Sequence, residues 1–239
     1  MRNTIFLFLC MISFSLFAQE SKKEKVEQQE STEVSEFKPV AGETSLEVQF
    51  APFGDNPIDI NGIRARFFSS QRSAFRLNAF LGYDTDSEIT QQENNDLNLL
   101  ELKDRTTTFV VNIRPGFERH FKGTNRLSPY MGLEADLTYQ TSTFKTENQS
   151  GDDINYLKEV NSNGFIRLGA NAIAGFDFYV SKKLYLGTEL GLGAAWTKLL
   201  PVKIKSDRSG FEEPDPVKRG SAIDIGPNVN AQIRLGYVF

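Results

Sequence analysis

The chain has 239 residues, 39% of them hydrophobic and 24% charged, with a formal net charge of −4. That balance excludes a nucleic-acid partner held by a basic patch, and the lack of any run of about 20 apolar residues excludes membrane-spanning helices. A single cysteine, Cys10, and a single histidine, His120, exclude a disulfide framework and a cysteine- or histidine-rich metal site.

The chain opens with Met1 and Arg2, followed by an apolar run from Ile5 to Ala18 that ends in SLFAQE. A basic start, a short apolar core and a small residue before the cut predict a secretory signal peptide over 1–18, cleaved after Ala18. The run is too short to serve as a spanning anchor. Cys10 leaves with it, so the mature chain carries no thiol, and the loss of Arg2 leaves 26 basic against 31 acidic residues. Residues 19–42, QESKKEKVEQQESTEVSEFKPVAG, are charged and nearly free of aromatics, and read as a flexible periplasmic tail with no core of its own.

From Thr44 onward, apolar and polar residues alternate in eight successive stretches, the signature of strands with different surroundings on their two faces. They are TSLEVQFAPF (44–53), NGIRARFFS (61–69), AFRLNAFLGYD (74–84), TTTFVVNIRPGFER (106–119), PYMGLEADLTYQ (129–140), GFIRLGANAIAGFDFYV (164–180), LYLGTELGLGAAWTK (184–198) and a final stretch from Ile223 to Phe239. In the last, Ile223, Ile225, Val229, Ile233, Leu235, Tyr237 and Phe239 share the apolar face, and Asp224, Asn228, Gln232 and Arg234 share the other. Short connections (SSQRS, HFKGTNRLS, VSKK) alternate with long polar ones, expected as loops over roughly 85–105, 142–162 and 200–220. An even number of strands with short turns at one end and long loops at the other predicts an all-β, eight-stranded antiparallel up-and-down transmembrane β-barrel over 43–239.

A soluble sandwich is the competing architecture, and the composition of each face decides against it. Ten glycines (82, 116, 132, 169, 175, 187, 191, 193, 226 and 236) fall on the polar face, where a crowded small-barrel interior needs them and a solvated surface does not. On the apolar face, Phe50, Tyr83, Phe109, Tyr139 and Trp196 fall near the long loops. Phe67, Phe75, Phe117, Phe176, Phe178, Tyr237 and Phe239 fall near the short turns. Two aromatic girdles around an aliphatic band match a bilayer with two interfaces.

With its signal peptide, eight strands, tight turns and terminal LGYVF, the sequence resembles the small outer-membrane β-barrel proteins of Gram-negative bacteria, the OmpA/OmpX-like or opacity-like group. The resemblance covers 44–239 and rests on pattern. It implies a bacterial outer-membrane location and outer-membrane lipid around the barrel. It also implies that the strand ending at Phe239, with Ile233, Leu235 and Tyr237, is read by the barrel-assembly machinery.

Charges on the inward face are Arg64, Arg66, Arg76, Arg114, Arg167 and Arg234 against Glu47, Glu118, Glu134, Asp136, Asp177, Glu189 and Asp224. Near balance predicts a mutually paired plug, since an uncompensated charge there is costly. Catalytic alternatives are Glu134 and Asp136 as an acid/base pair, or His120 as the base of a lipid-active barrel enzyme; His120 has no nearby Ser/Asp signature in the sequence. DTDSE (84–88) and GDDIN (151–155) could bind a divalent cation, but acidic loop runs are more often solvated. NQS (148–150) fits a glycosylation acceptor and means little in this setting. The expectation is therefore a non-enzymatic, monomeric barrel without catalytic, metal or cofactor residues and with a closed lumen, its loops serving structural or surface-interaction roles. A narrow pore for ions or small solutes is the alternative, and a lipid-active enzyme a remote one.

Overall fold

The computed structural model describes residues 35–50, 60–93, 99–150, 153–227 and 232–239. The expected signal peptide, Cys10 and most of the tail lie outside them. Eleven strands follow in chain order: β1 (Thr44–Phe50), β2 (Ile60–Ser70), β3 (Ser73–Glu93), β4 (Leu99–His120), β5 (Leu127–Ser150), β6 (Asp153–Val160), β7 (Phe165–Ser181), β8 (Leu184–Leu199), β9 (Lys203–Ser206), β10 (Ser221–Pro227) and β11 (Gln232–Val238).

Eight positions around a ring account for most of them. Each of β1 to β5 pairs antiparallel with the next, then β5 with β7 and β7 with β8. β8 pairs with both β10 and β11, and β11 returns to β1 through Ser45↔Val238 to Phe50↔Ile233. β10 and β11 are thus two parts of the eighth barrel strand, and the ring closes as an eight-stranded antiparallel barrel. Among the described residues, the β1–β11 pairing closes the ring in the short-turn half, while β10 is paired on one side only, with β8.

Alternation is reversed relative to a water-soluble barrel. Outward residues such as Leu133 (69% exposed), Leu81 and Ile63 are bare, while Arg66, Arg76 and Arg234 are fully buried inside. The outward aromatics Phe67, Phe75, Phe117, Phe176, Phe178, Tyr237 and Phe239 circle the short-turn end. Tyr83, Tyr139 and Trp196 stand toward the other end, with Leu, Ile, Val and Ala between. The side chain of Phe50 lies outside the described residues.

The structure departs from the sequence reading at the long-connection end. The stretch 85–105 is largely strand, because β3 and β4 stay paired from Asp84↔Thr108 out to Glu93↔Leu99. The stretch 142–162 holds the far end of β5 and β6, and β9 adds to β6 through Leu157↔Ser206 to Val160↔Lys203. Beyond the barrel, β3, β4, β5, β6 and β9 therefore continue as a five-stranded projecting sheet. Apolar alternation marks a strand only while one face meets an apolar phase, so strands with polar residues on both faces read as loops.

At the opposite end, the last residues of the expected tail lie against the barrel. Phe37 packs on the cluster of Tyr179, Tyr185 and Val238, and the Arg126 guanidinium stands 4.4 Å from its ring centroid. Ser35 Oγ donates to the carbonyl of Asn125 at 2.7 Å, and the backbone amide of Gly42 donates to Phe68 O at 2.8 Å.

Candidate functional site: the charged lumen

The inward side chains of the short-turn half form one connected lattice of charge. Register places large charged residues beside glycines on neighbouring strands. Gly116 separates Arg76 from Glu134, Gly132 sits beside Glu118, Gly187 lies between Asp177 and Arg234, and Gly175 adjoins Glu189. A Cβ at Gly187 would fall 2.5 Å from Arg234 Nη2, and one at Gly236 would collide with the Tyr185 ring. The ten glycines of the polar face thus have a positional cause at these sites: they vacate the volume into which a neighbouring Arg, Glu or Tyr leans.

Arg66 is the centre of the lattice. Its Nε lies 2.5 Å from Glu47 Oε1, and its Nη1 lies 2.8 Å from Glu118 Oε1 and 2.7 Å from Asp177 Oδ2. Its guanidinium also stands 4.8 Å from the ring centroid of Tyr185 and 5.4 Å from that of Phe68, so aromatic faces supply part of the solvation that water would. Arg234 bridges Glu47 (3.1 Å) and Asp177 (3.0 Å) and donates to the carbonyl of Thr188. Arg76 grips Glu189 with both Nη atoms at 2.7 and 2.9 Å and reaches Glu134 at 3.0 Å and Glu118 at 3.3 Å. Arg64 joins Glu47 to Glu189 at 3.4 and 3.2 Å. The Tyr130 hydroxyl donates to Glu189 at 2.5 Å and that of Tyr185 to Glu47 at 2.8 Å.

Toward the projecting sheet the lattice loosens. Arg114 is 3.8 Å from Glu134, Arg167 is 3.7 Å from Asp136, and both arginine side chains are partly exposed. Asp224, expected among the lumen charges, is exposed at that end; its backbone pairs with Ala195 near the rim, where the wall no longer shields it. Six arginines therefore face six carboxylates within the barrel, an even balance.

Glu134 and Asp136, the candidate acid/base pair, hold separate partners: Glu134 takes Arg76 and Arg114, while Asp136 accepts from Asn112 at 2.6 Å and from Thr138 at 3.0 Å. His120 does have a serine and a carboxylate beside it. Its Nδ1 lies 2.9 Å from Ser128 Oγ and its Nε2 3.1 Å from Glu118 Oε1. The sequence reading missed this because Ser128 belongs to the next strand, where His120↔Tyr130 register brings it close. The order resembles a nucleophile–base–acid array, but Ser128 is 2% exposed and Glu118 is shared with Arg66 and Arg76. It is built as a closing knot of the lattice.

Acidic run 84–88 lies on paired β3, where Asp84, Asp86 and Glu88 share one exposed face. Much of 151–155 lies outside the described residues. Among the described residues, no group of three His, Cys, Asp or Glu is placed to hold a metal ion. Sequence reasoning also passed over Tyr130, Tyr179 and Tyr185, all buried on the inward face. Their signal was available, since each occupies the polar register of its strand.

Residues 54–197 match the model of the OmpA-OmpF-like porin family. No curated protein matches the chain. Among solved structures, CarO2 of Acinetobacter baumannii is similar at 9% identity with a TM-score of 0.36, over 82% of this chain and 98% of its own.

Breaking the lattice at its centre should be severe. Arg66→Ala would leave Glu47, Glu118 and Asp177 only their other partners, Arg64, Arg76 and Arg234, and the lumen one positive charge short, a loss approaching the roughly 3–5 kcal/mol of a buried pair broken on one side. Urea unfolding of the refolded barrel in vesicles, followed by heat-modifiable gel migration, measures it; an unchanged midpoint would show that the lattice contributes no stability.

Proposed function

Because the chain belongs to the OmpA-OmpF-like porin family, we propose that this outer-membrane barrel protein is non-enzymatic, with a lumen closed by the charge lattice and a projecting sheet that serves a structural or surface-interaction role. The observation carrying this reading is the burial of Arg64, Arg66, Arg76 and Arg234, none more than 1% exposed, within one network of ion pairs. An eight-stranded barrel leaves an interior just wide enough for side chains, and fork-shaped guanidinium groups that each bridge two or more carboxylates leave little for water to solvate.

Its expected behaviour in a planar bilayer is near silence. Steady, well-defined conductance from the unmutated protein would instead establish the second reading, a narrow pore. That reading draws on the family's porin designation and on the partly exposed Arg114, Arg167 and Asp224 at the projecting end. Enzymatic action on lipid draws little support, since Ser128 and His120 are buried.

The proposal places the short turns and both chain ends in the periplasm and the projecting sheet outside the cell, with residues 1–18 removed on export. Single cysteines at Asn95, Gly151 and Gly210 should then label with a membrane-impermeant maleimide on intact cells, whereas cysteines at Lys122 and Lys182 should stay unlabelled. The reverse pattern would invert the orientation.

The barrel is proposed to act as a monomer in outer-membrane lipid. The alternating outward residues Ile233, Leu235, Tyr237 and Phe239 would form the segment recognised by the assembly machinery. Deleting Phe239 should lower the yield of heat-modifiable barrel in the outer membrane. If that yield is undiminished, the terminal aromatic is a girdle residue alone.

A further inference from the structure

The short-turn mouth of the barrel is crossed by a segment that belongs to no strand. Residues 35–43 precede β1, and a tight turn from Val40 to Glu43 carries them off the wall. Glu43 N donates to Val40 O at 3.2 Å, Val40 N donates to Glu43 Oε2 at 2.9 Å, and Gly42 takes a φ of +89°, a left-handed value that suits glycine. Beyond that turn the segment meets each of the three short connections. Gln71 Nε2, between β2 and β3, donates to Ser35 O at 3.5 Å. Ser35 Oγ in turn donates to Asn125 O, between β4 and β5, and Lys182 Nζ, between β7 and β8, lies 2.7 Å from Glu36 Oε2. A segment that touches all three connections lies across the opening they surround.

Beneath it is the last layer of inward side chains, Phe68, His120, Tyr179, Tyr185 and Val238, all buried. The wall ends within two residues of Tyr179, Tyr185 and Val238, where inward side chains of an open barrel would be wet. Phe37 is what covers them: it packs on all three, while Arg126 stands over its ring at 4.4 Å and donates to Val180 O at 2.9 Å. The charge lattice begins one contact further in. Tyr185 Oη donates to Glu47 and lies 3.0 Å from Ser45 Oγ, and its ring stands 4.8 Å from the Arg66 guanidinium.

The cover is not fastened uniformly. Tyr179 Oη is buried with no protein partner, and an unpaired buried hydroxyl is unfavourable, so admitting water to this layer relieves a cost. The Glu36–Lys182 pair is exposed and holds the segment only weakly. Apolar packing of Phe37 and the Arg126 contact on its ring are therefore the fastening. We infer that residues 35–43 form a latch, pinned by Phe37, that seals the charged lumen against water at the short-turn mouth and opens locally while the barrel wall stays intact. The competing role is a staple of ring closure, since Phe37 touches Val238 beside the seam between β1 and β11. Removing a staple loosens the whole ring; releasing a latch wets only the layer beneath it. The inference rests on the barrel reading and adds a second barrier to the lattice.

The test follows the reaction of single buried cysteines with a small methanethiosulfonate reagent in isolated outer-membrane fragments, in a C10S parent. S45C reports the layer under the latch, and A195C, buried on the inward face of β8 toward the projecting sheet, reports the rest of the lumen. S45C should react slowly in the parent and about tenfold faster with F37A, whereas A195C should keep its rate. F37Y retains a ring for Arg126 and should restore the protection of S45C. R126Q should speed S45C in the same direction, and it carries the test where F37A yields no heat-modifiable barrel. Equal acceleration of S45C and A195C would make the segment a staple and overturn the latch, as would an S45C rate that neither F37A nor R126Q changes. Conductance is read separately: fast S45C in a parent that is silent in a planar bilayer sinks the latch alone, whereas fast S45C with steady conductance sinks the closed lumen as well.

Discussion

Arg66 and the three carboxylates around it set the terms for the rest of the molecule. A guanidinium sealed in a barrel interior must recover the solvation it loses, and here Glu47, Glu118 and Asp177 supply it from three different strands. Those strands must then stay in one register, because a slip by one residue would carry every charge to the outward face. Six arginines and six carboxylates repeat this requirement around the ring. The lattice is therefore a constraint on strand order as much as a source of stability.

Glycine placement follows from the lattice. Each long side chain must lie across the neighbouring strand to reach its partner, so that strand must offer no Cβ there. Gly116, Gly175, Gly187 and Gly236 stand at such crossings beside Arg76, Tyr130, Arg234 and Tyr185. A barrel of eight strands has no spare interior volume, so charge and glycine are two parts of one arrangement. Tyr130, Tyr185 and His120 occupy what remains and donate to, or bond with, the same carboxylates.

Outside the wall the same alternation serves different surroundings. Within the aromatic girdles the outward face is aliphatic; past the outer girdle the outward positions include Lys103, Arg105, Lys145, Lys158, Lys203 and Lys205, while Asp84, Asp86, Glu88, Asp104 and Glu159 fall on the face that continues the lumen. One continuous sheet thus passes from an apolar contact to a polar, charged one within a few residues of Phe109.

Period-two alternation in the sequence was enough to identify the eight barrel strands, the direction of each face and the two girdles, because a bilayer imposes a strict in/out contrast on every residue it touches. The inward residue list was legible on the same ground, with Asp224 the exception at the open rim. Partner choice was not legible. Arg234 reaches Glu47, 187 residues away in sequence, across a lumen whose stagger no local pattern encodes. The Ser128–His120–Glu118 contact likewise depends on register between two strands. The strands of the projecting sheet escaped notice because water on both faces removes the alternation that betrays a strand, and only pairing with the wall beneath them reveals it. Sequence alone determined which residues face in and out; closure of the ring decided which of them meet, since contact depends on stagger between strands and periodicity only on position within one.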